Sequence, residues 1–352
     1  LPNEDEWTRD AKELEAKFTD DGYTPVIMYA QDDADEQASQ VSDMTEEGIS
    51  AMVIAPVDPY GLSEELKAAK EAEIPVIAYD DLIMNTDALK YYVTFGGRQI
   101  GQLIGQEIID KEELEKLQEA KESKTIEFFM GSLDDEQALF FYNGLMEKLQ
   151  PYLDDGTLVC KSGQITFEET GILRWSMDEA QSRAEETVEE AYQDGETPDI
   201  ICTGFDGAAE GVLKALRNDG LTLGENWPMI TGVGCDADAV RDIAESEIAC
   251  SVFMDRRVLA DQAEDMVNVY LHGEDDPEVN DYEQYDNGTK IIASYLCEPQ
   301  LINIDNYEIL IDNGYYTEDE VKPEATPTPE PTVTPEITEK PDVTATPEVT
   351  ES

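Results

Sequence analysis

Basic side chains are scarce in this sequence: 23 lysines and arginines stand against 82 aspartates and glutamates, a formal net charge of −59 over 352 residues. That balance excludes nucleic acid as a partner, because phosphate binding needs clustered Lys and Arg, and it disfavours docking on anionic membranes. There is one histidine, His272, in "VNVYLHGEDD" at the expected end of a helix, where its charge complements the helix dipole. A Ser-His-Asp triad, a Cys-His pair and a His-rich metal centre therefore have little to be built from. The five cysteines, Cys160, Cys202, Cys235, Cys250 and Cys297, are odd in number, lack the close spacings of zinc sites and fall mostly in apolar runs. They read as buried free thiols rather than a disulfide framework. No apolar run reaches the roughly 18 residues of a membrane span. No phosphate-cradling glycine loop and no D-x-[DN]-x-[DN]-G calcium loop is present, so neither a cofactor nor a metal is expected.

What is present is an alternation. Short Val- and Ile-rich runs, "YTPVIMYA" (23–30), "AMVIAP" (51–56), "IPVIAYD" (74–80) and "YYVTF" (91–95), are separated by amphipathic stretches such as "DEQASQVSDMTEEG" and "LSEELKAAKEAE". A second series, "TIEFFMG", "LVCKSGQ", "DIICTGF", "PMITGVG" and "CSVFM", follows the charged stretch "KEELEKLQEAKESK". The pattern is that of parallel sheets covered on both faces, and it predicts an α/β fold of two doubly wound lobes. The last 30 residues hold seven of the 17 prolines, seven acids, one lysine and no aromatic residue, so 323–352 is expected to be a disordered, polyproline-like tail.

Ligands of open parallel sheets sit beyond the carboxyl ends of the strands. Those ends carry Asp58, Asp80, Asp81, Asp134, Asp135, Asp206, Asp236 and Asp255. Each could instead cap the following helix, but the repetition across both halves points to a polar cleft. Three tryptophans are available. Trp7 lies near the start and Trp175 follows Arg174 in "GILRWSMDEA", while Trp227 reads as packing. Flat aromatic faces beside carboxylates and a guanidinium suit a sugar, whose rings offer apolar C–H faces and adjacent hydroxyls.

The order of "YAQDD", "VIAP", "IPVIAYD", "YYVTF", "GSLDD", "KSGQ", "LRW", "YDNGTK" and "DNGYYTEDEVK" resembles the xylose- and glucose/galactose-type sugar receptors of bacterial ABC transporters, which are type I periplasmic binding proteins. The resemblance spans nearly all of residues 1–322 and leaves out the tail. It implies two lobes joined by a three-crossover hinge, one formed by 1–111 with 256–290 and the other by 112–255 with 291–322. It also implies that a signal segment and a first strand stand ahead of Leu1 in a complete chain.

By the resemblance, Trp7 and Trp175 stack on the ligand, and Asp80, Arg174, Asp206 and Asp236 bond its hydroxyls. The sequence departs from the family pattern at Glu6, Asp81, Glu136, Gln137 and Met254, where relatives commonly carry arginine, arginine, two asparagines and lysine. With those cations gone, Arg174 reads as the cation left in the pocket, and facing carboxylates would raise a pKa or invite a cation. The expected ligand is a monosaccharide in the xylose, glucose and galactose range, with an amino sugar or another small polyol as the alternative.

The expected activity is capture of the sugar outside the cytoplasmic membrane, in the periplasm or on a lipid anchor at that membrane's outer face, by a monomer that delivers it to an ABC transporter permease. A co-receptor reporting sugar to a chemoreceptor or sensor kinase is the alternative. A glycosidase needs two carboxyls flanking a scissile bond, whereas the motifs here belong to a binding fold, so no enzyme is expected. A transcriptional regulator would need a basic helix-turn-helix ahead of the core, which is not in the sequence.

Overall fold

The computed structural model describes residues 5–192, 196–224, 226–273 and 276–322. The tail from 323 lies outside the described residues. In chain order the strands are β1 (Met52–Ile54), β2 (Val76–Tyr79), β3 (Leu89–Phe95), β4 (Lys124–Phe129), β5 (Leu158–Val159), β6 (Ile200–Thr203), β7 (Met229–Ile230), β8 (Cys250–Phe253), β9 (Ser294–Cys297) and β10 (Gln300–Asn303). The helices are α1 (Asp5–Asp20), α2 (Ala34–Glu47), α3 (Ser63–Glu71), α4 (Gly97–Lys111), α5 (Leu114–Ala120), α6 (Glu136–Asp154), α7 (Phe167–Thr170), α8 (Met177–Ala191), α9 (Asp206–Asn218), α10 (Ala237–Ala244), α11 (Arg256–His272) and α12 (Ile309–Asp312).

One sheet has the order β1-β2-β3-β9, all parallel. The other has the order β5-β4-β6-β7, also parallel. Bridges from Thr231 to Cys250 and from Gly234 to Phe253 extend it to β8, on which β10 packs antiparallel. β2, β6 and β8 are buried at every position, as expected of strands sandwiched between helical layers. Turn chemistry sets the helix starts. Asp33, Asp135 and Asp255 each accept backbone N–H bonds at the head of α2, α6 and α11, so two of the strand-end aspartates, Asp135 and Asp255, are caps. His272 closes the last turn of α11, with its Nδ1 2.8 Å from the Asn268 carbonyl. All five cysteines are free thiols, four buried and Cys160 half-buried.

Among the described residues the chain passes between the two sheets three times: from Phe95 to Gly97, from Phe253 to Arg256, and from Cys297 to Gln300. Two of the expected lobe borders move as a result. α4 packs along α6 and against β8, so residues 97–111 belong with the second sheet and the first border falls near 96 rather than 111. The contact is close enough that a Cβ on Gly101 would lie 2.0 Å from the Phe141 carbonyl oxygen, and one on Gly144 2.0 Å from that of Arg98. β9 pairs with β3, so the chain stays with the first sheet through Cys297 rather than leaving it at 290. The strand-and-helix alternation located most of the elements, but a helix's hydrophobic face does not say which sheet it covers.

The expected strand at 23–30 joins no ladder. A cavity of about 540 Å³ separates it from β1, lined by Val26, Ile27, Met28, Met52, Val53 and Ile54 among others.

Candidate functional site

In the first lobe, β2 ends at Tyr79 and delivers Asp80 with a left-handed backbone, φ +67°. Such a conformation is strained for a non-glycine residue and is held here by neighbours. The Asp80 N–H bonds the Val93 carbonyl at 2.9 Å, and the Tyr92 hydroxyl donates to the Asp80 carbonyl at 2.5 Å. Its carboxylate accepts from Arg256 Nη2 at 3.0 Å. Arg256 opens α11 and is nearly buried. It also donates from Nε and Nη2 to the wholly buried Asp10, at 2.7 and 2.5 Å to Oδ2, and Tyr79 gives Asp10 a further hydroxyl bond at 3.0 Å. Burial raises the Asp10 pKa, while Arg256 pulls it back. The Arg256 guanidinium lies 4.8 Å from the ring centre of Trp7, which is half-buried. Asp81 follows in the same turn, half-buried.

In the second lobe, Arg174 and Trp175 form a short 3-10 turn in which both have φ +54°. The Arg174 N–H donates to Ser132 Oγ at 2.8 Å, fixing the turn to the end of β4. The Trp175 indole lies against Gly131, where a Cβ would come within 2.3 Å of the ring, and meets Phe205 edge-on at 5.3 Å. Trp175 keeps 38% of its surface open. Asp206, next to Phe205, is buried. Its Oδ1 accepts from Ser251 Oγ at 2.7 Å and its Oδ2 from the Asp236 N–H at 2.8 Å. Burial, then the charge of Asp236, pushes the Asp206 pKa up to about 7. Asp236 is raised as well, by loss of solvation and by Asp238, against the pull of Arg9 from the other lobe.

The two halves therefore meet electrostatically. Arg9 on α1 acts on Asp236, and the charge of Asp80 helps raise Asp135 after burial has done most of it. The site residues expected from the sequence divide accordingly. Trp7 and Asp80 are joined by Arg256; Arg174, Trp175, Asp206 and Asp236 line strand ends of the second sheet. Gln137 is committed to the hinge, its Nε2 donating to Tyr92 at 3.0 Å and its Oε1 accepting from the Gly97 N–H at 3.2 Å. Glu136 is exposed and its field partners are Asp135 and Asp286, and Met254 packs against the core at the second crossing. The side chain of Glu6 lies outside the described residues.

The expectation that Arg174 is the cation left in the pocket does not hold. Arg256 stands between Trp7 and Asp80, and Arg9 faces Asp236. Sequence reasoning also passed over Asp10 and Phe205. The local signals were there: Arg256 follows the strand end "CSVFMD", and Phe205 precedes the strand-end aspartate in "GFDG". Nothing in the sequence, however, brings position 256 to position 80.

Residues 2–275 match the family model described as "Periplasmic binding protein domain". The chain is 38% identical over 318 residues to the multiple sugar-binding periplasmic receptor ChvE of Rhizobium radiobacter, covering 90% of this chain and 88% of that protein. It is 35% identical to the multiple sugar-binding periplasmic protein SbpA of Azospirillum brasilense, covering 90% and 87%. Among solved structures it is similar to an ABC transporter solute binding protein from Clostridium phytofermentans with bound β-D-glucose, at 39% identity and a TM-score of 0.81, covering 92% of this chain and 98% of that one. A two-lobed, hinged binder with its polar groups at the strand ends is the class that the geometry defines. The chain belongs to the periplasmic binding protein family, whose members are extracytoplasmic solute-binding proteins and not enzymes.

Proposed function

We propose that this protein captures a monosaccharide between its lobes outside the cytoplasmic membrane and hands it to the permease of an ABC transporter. The observation that carries the proposal is the pair of aromatic platforms, Trp7 and Trp175, each set on a different lobe beside strand-end carboxylates and a guanidinium. Trp175 with Phe205 offers a face to the sugar's C–H surface, Trp7 a second, and Asp80, Arg174 and Asp236 the hydroxyl partners; Asp206 holds the Asp236 turn. Closure is favoured because ligand contacts from both lobes form only when the lobes meet. The sugar lies in the glucose, galactose and xylose range, in keeping with relatives named for multiple sugars and xylose and a neighbour that holds β-D-glucose. Transport is favoured over a chemoreceptor or kinase co-receptor, because the similar solved structure is an ABC transporter component. A lipid anchor at the outer face of the membrane completes the proposal. Isothermal titration with glucose, galactose, xylose, arabinose and glucosamine tests it: saturable heat from at least one is expected, and no heat from any overturns it.

A further inference from the structure

A guanidinium at the first turn of a helix opposes the helix dipole, whose amino end favours negative charge. Arg256 occupies that position on α11 and is nearly buried there, so its placement needs compensation. Asp10 and Asp80 supply it, and Trp7 covers the guanidinium face. Three groups, two from α1 and one from the end of β2, thus converge on one cation, in a protein where acids outnumber bases 82 to 23.

The consequence falls on Asp80. An exposed strand-end carboxylate would attract the ammonium of an amino sugar; here the place beside its Oδ2 is already filled by Arg256 Nη2. The same guanidinium, bonded to Asp10 and Asp80, lies 4.8 Å from the Trp7 ring centre and so holds that ring by a cation–π contact. We infer that Arg256 is the positioning residue that sets charge specificity in the first-lobe half of the cleft, so that it takes a neutral sugar and rejects the corresponding 2-amino sugar. The inference rests on the sugar-binding reading and deepens it.

The test compares glucose with glucosamine by titration calorimetry at pH 6.5, where the amine is protonated. Wild type is expected to bind glucose at least tenfold more tightly. Replacing Arg256 alone leaves Asp10 as an uncompensated buried charge, so the main variant is Arg256→Met with Asp10→Asn, and Arg256→Lys is the second. The double variant is expected to narrow the glucose-to-glucosamine preference at least tenfold, chiefly by gaining glucosamine. Arg256→Lys is expected to keep the preference, because the charge stays, while losing affinity for both sugars as the stacked fork is lost. Equal weakening of both sugars by the double variant, with the preference unchanged, would show a merely structural role and overturn the inference. Wild type that binds none of the sugars overturns the sugar reading itself, a separate result from an unchanged preference.

Discussion

Trp175 is held on three sides: by the left-handed turn shared with Arg174, by Gly131 beneath the ring and by the edge of Phe205. Trp175→Ala should weaken sugar binding by about 1–3 kcal/mol, roughly 5- to 150-fold, if a sugar face stacks like other aromatic contacts. Gly131→Ala should weaken it too, because the new Cβ would stand 2.3 Å from the ring and push the platform aside, and should also lower the melting temperature, because it would stand 2.8 Å from the Ala138 Cβ. Fluorescence titration of the two variants checks both, and unchanged affinity in either would separate the ring from the ligand. Asp206 gives a prediction in pH. Its carboxyl is raised from 3.8 to about 7 on folding, so between those values the native state holds a proton that the unfolded state has lost. Its contribution therefore falls as pH rises from about 4 to about 7 and is flat above. Asp206→Asn should remove that slope, so the stability difference, wild type minus variant, should decline over this range in thermal melts. A difference that rose with pH would contradict the assignment.

At the scale of elements, the α4–α6 contact depends on two glycines that bring the helix backbones together. Gly101→Ala and Gly144→Ala each place a methyl 2.0 Å from a carbonyl oxygen of the other helix. Each should destabilise by about 1–3 kcal/mol, readable in urea denaturation, with an unchanged midpoint as the opposing result. Neither glycine stood out in the sequence, because "RQIGQLIGQEI" and "FYNGLMEKL" have ordinary helical periodicity and close approach belongs to the partner helix. The strands were more legible. β2, β6 and β8 are short, largely apolar runs bounded by turn residues, a pattern that burial on both faces demands. The run at 23–30 carries the same pattern and joins no ladder, since a strand needs a partner as well as a pattern.

For the whole molecule, the question is what holds the lobes together. Tyr315 follows α12, which packs into the second-lobe core, yet it lies between two first-lobe cations: Arg9 at 5.0 Å and Arg257 at 5.1 Å from its ring centre. Arg257 also donates to the Asn313 carbonyl at 3.0 Å, and Arg9 reaches Tyr316 at 5.8 Å. These contacts bridge the lobes and resist their separation. Arg9→Ala should speed sugar release about 2- to 5-fold, the equivalent of 0.5–1 kcal/mol for a partly exposed cation–π contact. Stopped-flow tryptophan fluorescence separates this from a change in association rate, and an effect confined to association would mean that Arg9 steers the ligand instead.

The sequence by itself determined what local chemistry can determine: the α/β alternation, the strand ends that carry aspartates and the free thiols. Each follows from a residue and its near neighbours along the chain. Tertiary structure alone decided where the chain crosses between sheets and which cation stands beside Asp80, since Arg256 is 176 positions away from it and Asp10 is 246 away from Arg256. No periodicity records a contact over that separation. It arises because three crossings fold the head of α11 back onto the ends of the first sheet, next to Trp7.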